Sequence, residues 1–278
     1  MHVLTVNRIS IQEFVTRVVP FLAEREVEFN LLIGLASRYA ALDEVPSDTV
    51  WLALEDDGAL VGAALRTPPH YVTVSELPPG GARAIADFFL ELGAVPDGAS
   101  GPDDHGRDVL VALSEKLGGR IELRSGELIY ELAAVNDVPQ PGGAARVATD
   151  ADLELLTGHV DAFLREVALP YQTDPAALAE RYVAEGTALL WDDGGVRALA
   201  CEARRTTTGA AIAPVYTVPG SRRRGYGAAV TAELSRRLLA SGNRFVCLFA
   251  DQTNPTANHV YQSIGFRRVR DFNVWSLR

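Results

Sequence analysis

The spacing of apolar residues divides the chain into alternating helical and extended segments. Ile11, Phe14, Val15, Val18 and Val19 recur near the helical period after Ser10, a capping residue type, and predict a helix to about Arg25 that Pro20 kinks or divides. A second helix is expected over 30–39. Runs 51–55 and 60–66 flank Asp56-Asp57-Gly58, the composition of a hairpin turn, and read as adjacent antiparallel strands. A strand over 71–76, helices over 82–92 and 104–117, and a hairpin of 120–123 with 127–132 around Ser125-Gly126 complete the first half. Residues 136–143 (Asn-Asp-Val-Pro-Gln-Pro-Gly-Gly) are rich in turn formers and poor in apolar side chains, which marks a linker between domains at 1–135 and 145–278. Beyond it the order recurs. A strand at 145–148, helices at 150–165 and 174–185, and strands at 188–192, 196–204 and 210–218 precede a helix, a strand, a further helix and final strands. The halves read as two versions of one α+β plan without a residue-for-residue repeat.

A length of 278 residues with 47% hydrophobic and 22% charged residues supports two domains, each with its own core. The net charge of −10 excludes a broad basic face for nucleic acid and suits a cationic small-molecule partner better. Cys201 and Cys247 sit in apolar runs and read as core residues, not as a disulfide, metal ligand or nucleophile. His159 and His259 lie in helical segments without metal-ligand spacing, so no metal is expected and both read as partly exposed. The start, residues 1–14, carries Arg8 and Glu13 and lacks the apolar stretch of a signal peptide, and no apolar run reaches ~20 residues. A cytoplasmic protein with no membrane partner is the expectation.

The chemistry concentrates where the strand at 210–218 runs into Pro219-Gly220-Ser221-Arg222-Arg223-Arg224-Gly225-Tyr226-Gly227 and then a helix. Tyr226, Val230, Leu234 and Leu238 mark one face of that helix, and Gly242 stops it. Free N–H groups and the positive end of a helix dipole behind three arginines suit a pyrophosphate. Glycines at 225 and 227 allow close backbone approach and unusual φ angles. The spacing Arg-x-x-Gly-x-Gly matches neither the dinucleotide fingerprint nor the P-loop. Farther on, the wholly apolar run 245–250 is the signature of a strand covered on both faces, and Asn254-Pro255 can start a helix that carries Tyr261 and stops at Gly265.

These residues resemble the GNAT superfamily of acyl-CoA-dependent N-acyltransferases. The family's cofactor loop, Arg/Gln-x-x-Gly-x-Gly/Ala after a central strand, is matched by Arg222, Gly225 and Gly227. Its later positions are matched by Asn254, Tyr261 and Gly265-Phe266. The resemblance covers 145–278 and, by order of elements alone, 1–135. It implies a mixed, mainly antiparallel sheet flanked by helices, two such domains in tandem, and acetyl-CoA as co-substrate. It assigns cofactor contacts to Val215, Tyr216, Thr217, Val218, Arg222, Arg223, Arg224, Gly225, Tyr226, Gly227, Ala228 and Asn254. The strand 215–218 offers a free edge for the pantetheine arm, with Pro214 at a bulge and a backbone N–H facing the thioester carbonyl.

An amine must lose a proton to attack, and Glu202 and Asp251 are the candidate bases, while Tyr261 is the candidate acid for the departing thiolate. In the first half, Leu77-Pro78-Pro79-Gly80-Gly81 stands where the cofactor loop would lie, so that half is expected to be a degenerate copy without a site of its own. The rival readings are a non-catalytic acyl-CoA-binding or scaffolding module and, disfavoured by the absence of a Lys or Asp metal motif, a kinase. The acceptor, among aminoglycoside, polyamine, amino acid and protein N-terminus, is open, as is the oligomeric state.

Overall fold

The computed structural model describes residues 4–168 and 173–278; the first three residues of the start read above lie outside it. In chain order the elements open with β1 (Leu4–Arg8), α1 (Ile11–Glu13), a π-helical turn (Phe14–Val18), α2 (Val19–Ala23) and α3 (Asn30–Ala40). Then come β2 (Val50–Asp56), β3 (Ala59–Arg66), β4 (Val72–Val74), α4 (Gly81–Leu92), β5 (Gly98–Pro102), α5 (His105–Leu117) and β6 (Ile121–Leu132). The remainder is β7 (Ala144–Val147), α6 (Leu153–Val167), α7 (Pro175–Ala184), β8 (Ala188–Asp192), β9 (Val196–Arg205), β10 (Gly209–Thr217), α8 (Tyr226–Ala240), β11 (Phe245–Asp251), α9 (Pro255–Ile264) and β12 (Arg267–Leu277). None of the described helices is long and apolar enough to cross a membrane.

The chain forms two compact units. One comprises Met1–Ile129, Asp251–Thr253 and Val269–Arg278, the other Tyr130–Ala250 and Asn254–Arg268. This differs from a split into 1–135 and 145–278. The C-terminal strand serves the first unit, where β12 pairs antiparallel with β5 from Phe272 opposite Pro102 to Ser276 opposite Gly98. The linker expected at 136–143 has no regular structure but is pinned within the second unit. Asn136 N donates to Ile264 O at 2.8 Å, and Trp191 Nε1 donates to Gly142 O at 2.8 Å.

In the first unit the sheet runs β1-β2-β3-β4-β5-β12, and only β4 and β5 are parallel. Alternation along β2 sorts its faces: Leu52 and Leu54 pack with Ile85, Phe89, Val109 and Leu110 of α4 and α5, while Trp51 and Ala53 pack with Phe14, Val18, Leu22 and Ile33 of the opening helices. Ser10 caps α1 by accepting from Glu13 N at 3.1 Å. Ahead of Pro20, which clashes with a regular turn, the helix widens, and Val19 N donates to Phe14 O. The expected hairpin around Ser125-Gly126 is instead one continuous strand, β6. Gly126 makes no turn because its carbonyl accepts from Gln252 N at 2.9 Å and its missing side chain admits the Gln252 amide.

Arg270 of β12 fixes this strand electrostatically as well. It donates to Glu28 at 2.8 Å, Glu76 at 2.9 Å and Asp103 at 2.8 Å, and Arg25 joins Glu28 and Glu76 from the other side. Hydrogen bonds from Arg25 and Arg270 hold the Glu76 carboxyl at about 2, below its ordinary 4.5. A depressed carboxylate pKa stabilises the fold above the unfolded value and loses that stabilisation as pH falls toward the folded one. Because Glu76 is half exposed, screening reduces the effect to about 1 kcal/mol. Glu76→Gln is therefore expected to be less stable than wild type by about 1 kcal/mol at neutral pH. In urea melts the difference should close as pH falls from about 4.5 to about 2. A gap that persists in acid would assign the loss to packing.

The second unit repeats the plan with a sheet ordered β11-β10-β9-β8-β7, in which only β10 and β11 are parallel. Leu190, Leu199, Cys201 and Tyr216 pack with Leu156, Val160, Ala179 and Tyr182 of α6 and α7. Tyr226, Val230, Leu234 and Leu238 of α8 are buried, as the helical spacing predicts. Both cysteines are buried, and neither forms a disulfide.

Candidate functional site

Two departures from regular sheet geometry create the site. The parallel ladder between β10 and β11 holds only at Gly209–Phe245, Ala210–Val246 and Ala211–Cys247. Beyond Ala211, β10 has no further paired position with β11, although it stays paired with β9 as far as Thr217 opposite Ala198. At the point of divergence the β9 register shifts: Ile212 faces Glu202 and Val215 faces Ala200, so three steps on β10 oppose two on β9. Pro214 lies within this bulge and brings no N–H to either ladder, while Tyr182 Oη donates to the neighbouring Ala213 O at 3.1 Å. Val215, Tyr216 and Thr217 are thereby left along one open strand edge.

That edge leads into a cavity of about 460 Å³. Val215, Tyr216 and Thr217 line it with Arg222, Arg223, Gly225, Tyr226, Gly227, Ala228, Asn254 and Tyr261. Of the cofactor residues expected from sequence, Val218 and Arg224 do not line it. Sequence reasoning missed Glu166, Ser221, Thr256, Ala257 and Val260, which do. A helical i, i+4 count from Tyr261 back to Ala257 flags part of the missing α9 wall, but no local pattern singles out Glu166 on α6.

The loop presents backbone donors at the start of a helix. Arg223 at φ 60° and Gly225 at φ 87° turn the chain into α8, whose N-cap, Gly225, supplies no side chain. The ladder begins with Ala229 N donating to Gly225 O at 2.9 Å, which leaves the N–H groups of Tyr226, Gly227 and Ala228 as first-turn donors beside the cavity. Gly227 is required for a different reason from Gly225: a Cβ there would stand 2.8 Å from Thr217 Oγ1, so its absence lets α8 sit close to the end of β10. The three arginines divide their work. Arg222 Nε donates to Thr217 O at 3.0 Å and its Nη2 to Glu166, and Arg224 lies 5.3 Å from the ring centre of Tyr226, whose hydroxyl donates to Asp193. Arg223 and Arg224 form no ion pair among the described residues.

Across the cavity, α9 begins as the sequence predicts, with Asn254 Oδ1 accepting from Ala257 N at 3.0 Å and Pro255 in the first turn. One face of this helix carries Tyr261, whose ring packs 6.3 Å from Tyr130 and 5.9 Å from Phe266. Burial pushes its phenol up to about 12. The Tyr261 hydroxyl has no hydrogen-bond partner among the described residues, and the residue lines the cavity.

The two candidate bases stand elsewhere. Glu202 is buried on β9 and ion-paired with Arg205, and Asp251 is exposed at the end of β11, accepting from Thr253 N and Thr253 Oγ1 at 2.7 Å. Neither lines the cavity. His159, read from sequence as a partly exposed surface residue, packs its ring 5.6 Å from that of Tyr216 with Nε2 buried, and burial lowers its pKa. His259 is exposed. Among the described residues no group of three His, Cys, Asp or Glu could hold a metal ion.

Residues 192–276, which include the loop and α9, match the family model described as FR47-like protein. Search of curated proteins gives no match. Several solved structures share the fold over almost the whole chain. A GCN5-related N-acetyltransferase from Sphaerobacter thermophilus is 13% identical, with a TM-score of 0.66 over 99% of this chain and 95% of that one. A GNAT-family acetyltransferase from Colwellia psychrerythraea is 11% identical, with a TM-score of 0.57 over 98% of each chain. A tandem GNAT protein from the clavulanic acid biosynthesis pathway is 13% identical, with a TM-score of 0.56 over 98% of each chain.

Proposed function

We propose that this chain, which has the fold of the GNAT acetyltransferases, moves an acetyl group from coenzyme A to an amine. The observation that carries the reading is the meeting, in one cavity, of an open strand edge, an uncapped helix N-terminus and the unbonded phenol of Tyr261. The first-turn N–H groups of α8, with Arg223 beside them, receive the diphosphate, which suits both the partial positive charge of the helix end and its free donors. The pantetheine arm lies along 215–217, where strand-like hydrogen bonding is open to an extended ligand. A backbone N–H of that edge polarises the thioester carbonyl. The amine nitrogen attacks the carbonyl carbon, the carbon–sulfur bond breaks, and Tyr261 protonates the departing thiolate. Glu202, which stands in the same unit as the cavity but off its wall, is the carboxylate proposed to take the amine's proton through water.

The first unit is proposed to hold no second cofactor site. Its α4 also starts from a left-handed glycine, Gly80 at φ 83°, but Pro78 and Pro79 bring no N–H to the turn. Gly81 N is already bonded to Pro78 O at 2.9 Å, and Leu77 is buried there. Calorimetric titration with coenzyme A should accordingly report one site per chain, and a screen of amine pools with acetyl-CoA should release free thiol and yield an acetylated product by mass. Binding without thiol release from any amine would leave a cofactor-binding module and sink the transferase reading. Two sites per chain would overturn the assignment of the first unit.

A further inference from the structure

Within the anion-binding cavity one wall residue has the wrong sign. Glu166, on the last turn of α6, places its carboxylate there, and Arg222 cancels it. The Arg222 guanidinium is thereby folded back onto β10, with Nε on Thr217 O at 3.0 Å and the charge 5.7 Å from the Tyr216 ring centre. Arg222 is also the first residue of the loop that precedes the free N–H groups of α8.

The pair is exposed on both sides, 43% and 49%, and an ion pair so placed is held weakly. A diphosphate offers the same guanidinium two anionic groups and bidentate geometry, so an exchange of partners favours the phosphate. Once Arg222 has changed partner, Glu166 is an uncompensated carboxylate on the cavity wall. We propose, building on the acyl-CoA reading, that cofactor binding frees Glu166 from Arg222 to receive a second positive charge on the amine acceptor. Glu166 would then be the specificity-determining residue, and the acceptor class an amine that carries another cationic group.

The test uses the full chain. Coenzyme A is titrated into wild type and Glu166→Gln, and thiol release from acetyl-CoA is followed with 1,4-diaminobutane and with 1-aminobutane, which lacks the second amine. The variant should bind coenzyme A as tightly as wild type or up to about fivefold more tightly, the scale of an exposed ion pair removed from competition. Wild type should prefer the diamine in kcat/KM by about tenfold or more, and in the variant that ratio should collapse toward unity. Weaker coenzyme A binding by a folded variant would show that the pair merely braces the loop, and an equal diamine ratio in both proteins would remove Glu166 from acceptor recognition; either overturns the proposal. Should neither amine be turned over, the effect of the diamine on coenzyme A affinity decides. Tightening in wild type that is absent from the variant supports the exchange, and no effect in either overturns it. Failure of folded wild type to bind coenzyme A would sink the transferase reading itself, and the exchange with it.

Discussion

Replacing Tyr261 by phenylalanine should lower kcat for acyl transfer about 10²-fold while leaving the affinity for acetyl-CoA close to that of wild type. A positioned general acid contributes on the order of 10²–10⁴ in rate, and the lower end applies here. Burial raises the pKa of the hydroxyl to about 12, which makes the phenol a weaker donor to a thiolate whose conjugate thiol has a pKa near ~8.5. The substitution removes one oxygen and keeps the ring between Tyr130 and Phe266, so the melting temperature should hardly change. A loss confined to kcat is the signature of an interaction made only in the transition state. The raised pKa also has a sign that can be checked: the phenol stays protonated throughout the usual assay range, so Tyr261 should contribute no alkaline decline to the rate below that pH. If single-turnover acetylation by the phenylalanine variant matches wild type, the ring is there for packing and the thiolate takes its proton from water.

Coenzyme A affinity should fall at least about 100-fold in Gly225→Glu. Two effects act in the same direction. A carboxylate at the N-cap sits beside the donors assigned to the diphosphate and repels it. Residue 225 also holds φ at 87°, where a side chain is strained by about 1–2 kcal/mol. Space is not the obstacle, because the nearest atom to a Cβ there, Pro139 O, is 4.0 Å away. Gly225→Asn separates charge from strain, since asparagine tolerates the left-handed region and carries no charge. Calorimetry should place it between wild type and the glutamate variant. Wild-type affinity in a folded Gly225→Glu protein would remove the loop from diphosphate binding.

Much of the second unit was legible because its signals are local. The four-residue recurrence of Tyr226, Val230, Leu234 and Leu238 specifies α8, and Asn254-Pro255 specifies the start of α9. The loop itself is readable from glycines that only an unusual backbone requires. What escaped is what depends on distant partners. Gly98–Pro102 has the composition of a loop yet forms the fully buried β5. A Cβ on Gly98 would stand 2.4 Å from the Tyr71 ring, and one on Gly101 would stand 2.7 Å from Val74 Cγ2, so the small residues serve close packing that no window of sequence displays. Glu166 was missed for a similar reason, since only the fold brings the end of α6 to the loop at 222. The continuous β6 defeated the hairpin reading because Ser-Gly is a common turn pair, whereas its geometry here is set by Gln252.

The partnership of β12 with β5 bears on how the protein is made. A chain emerging from the ribosome can assemble β1 to β5 early, because those strands are sequential neighbours. The outer flank of β5 then waits for a strand that is translated only after every element of the second unit. During that interval it presents unpaired backbone groups, the kind of edge that recruits strands from other chains. The first unit is therefore a vectorial folding problem whose completion is postponed to Phe272–Ser276.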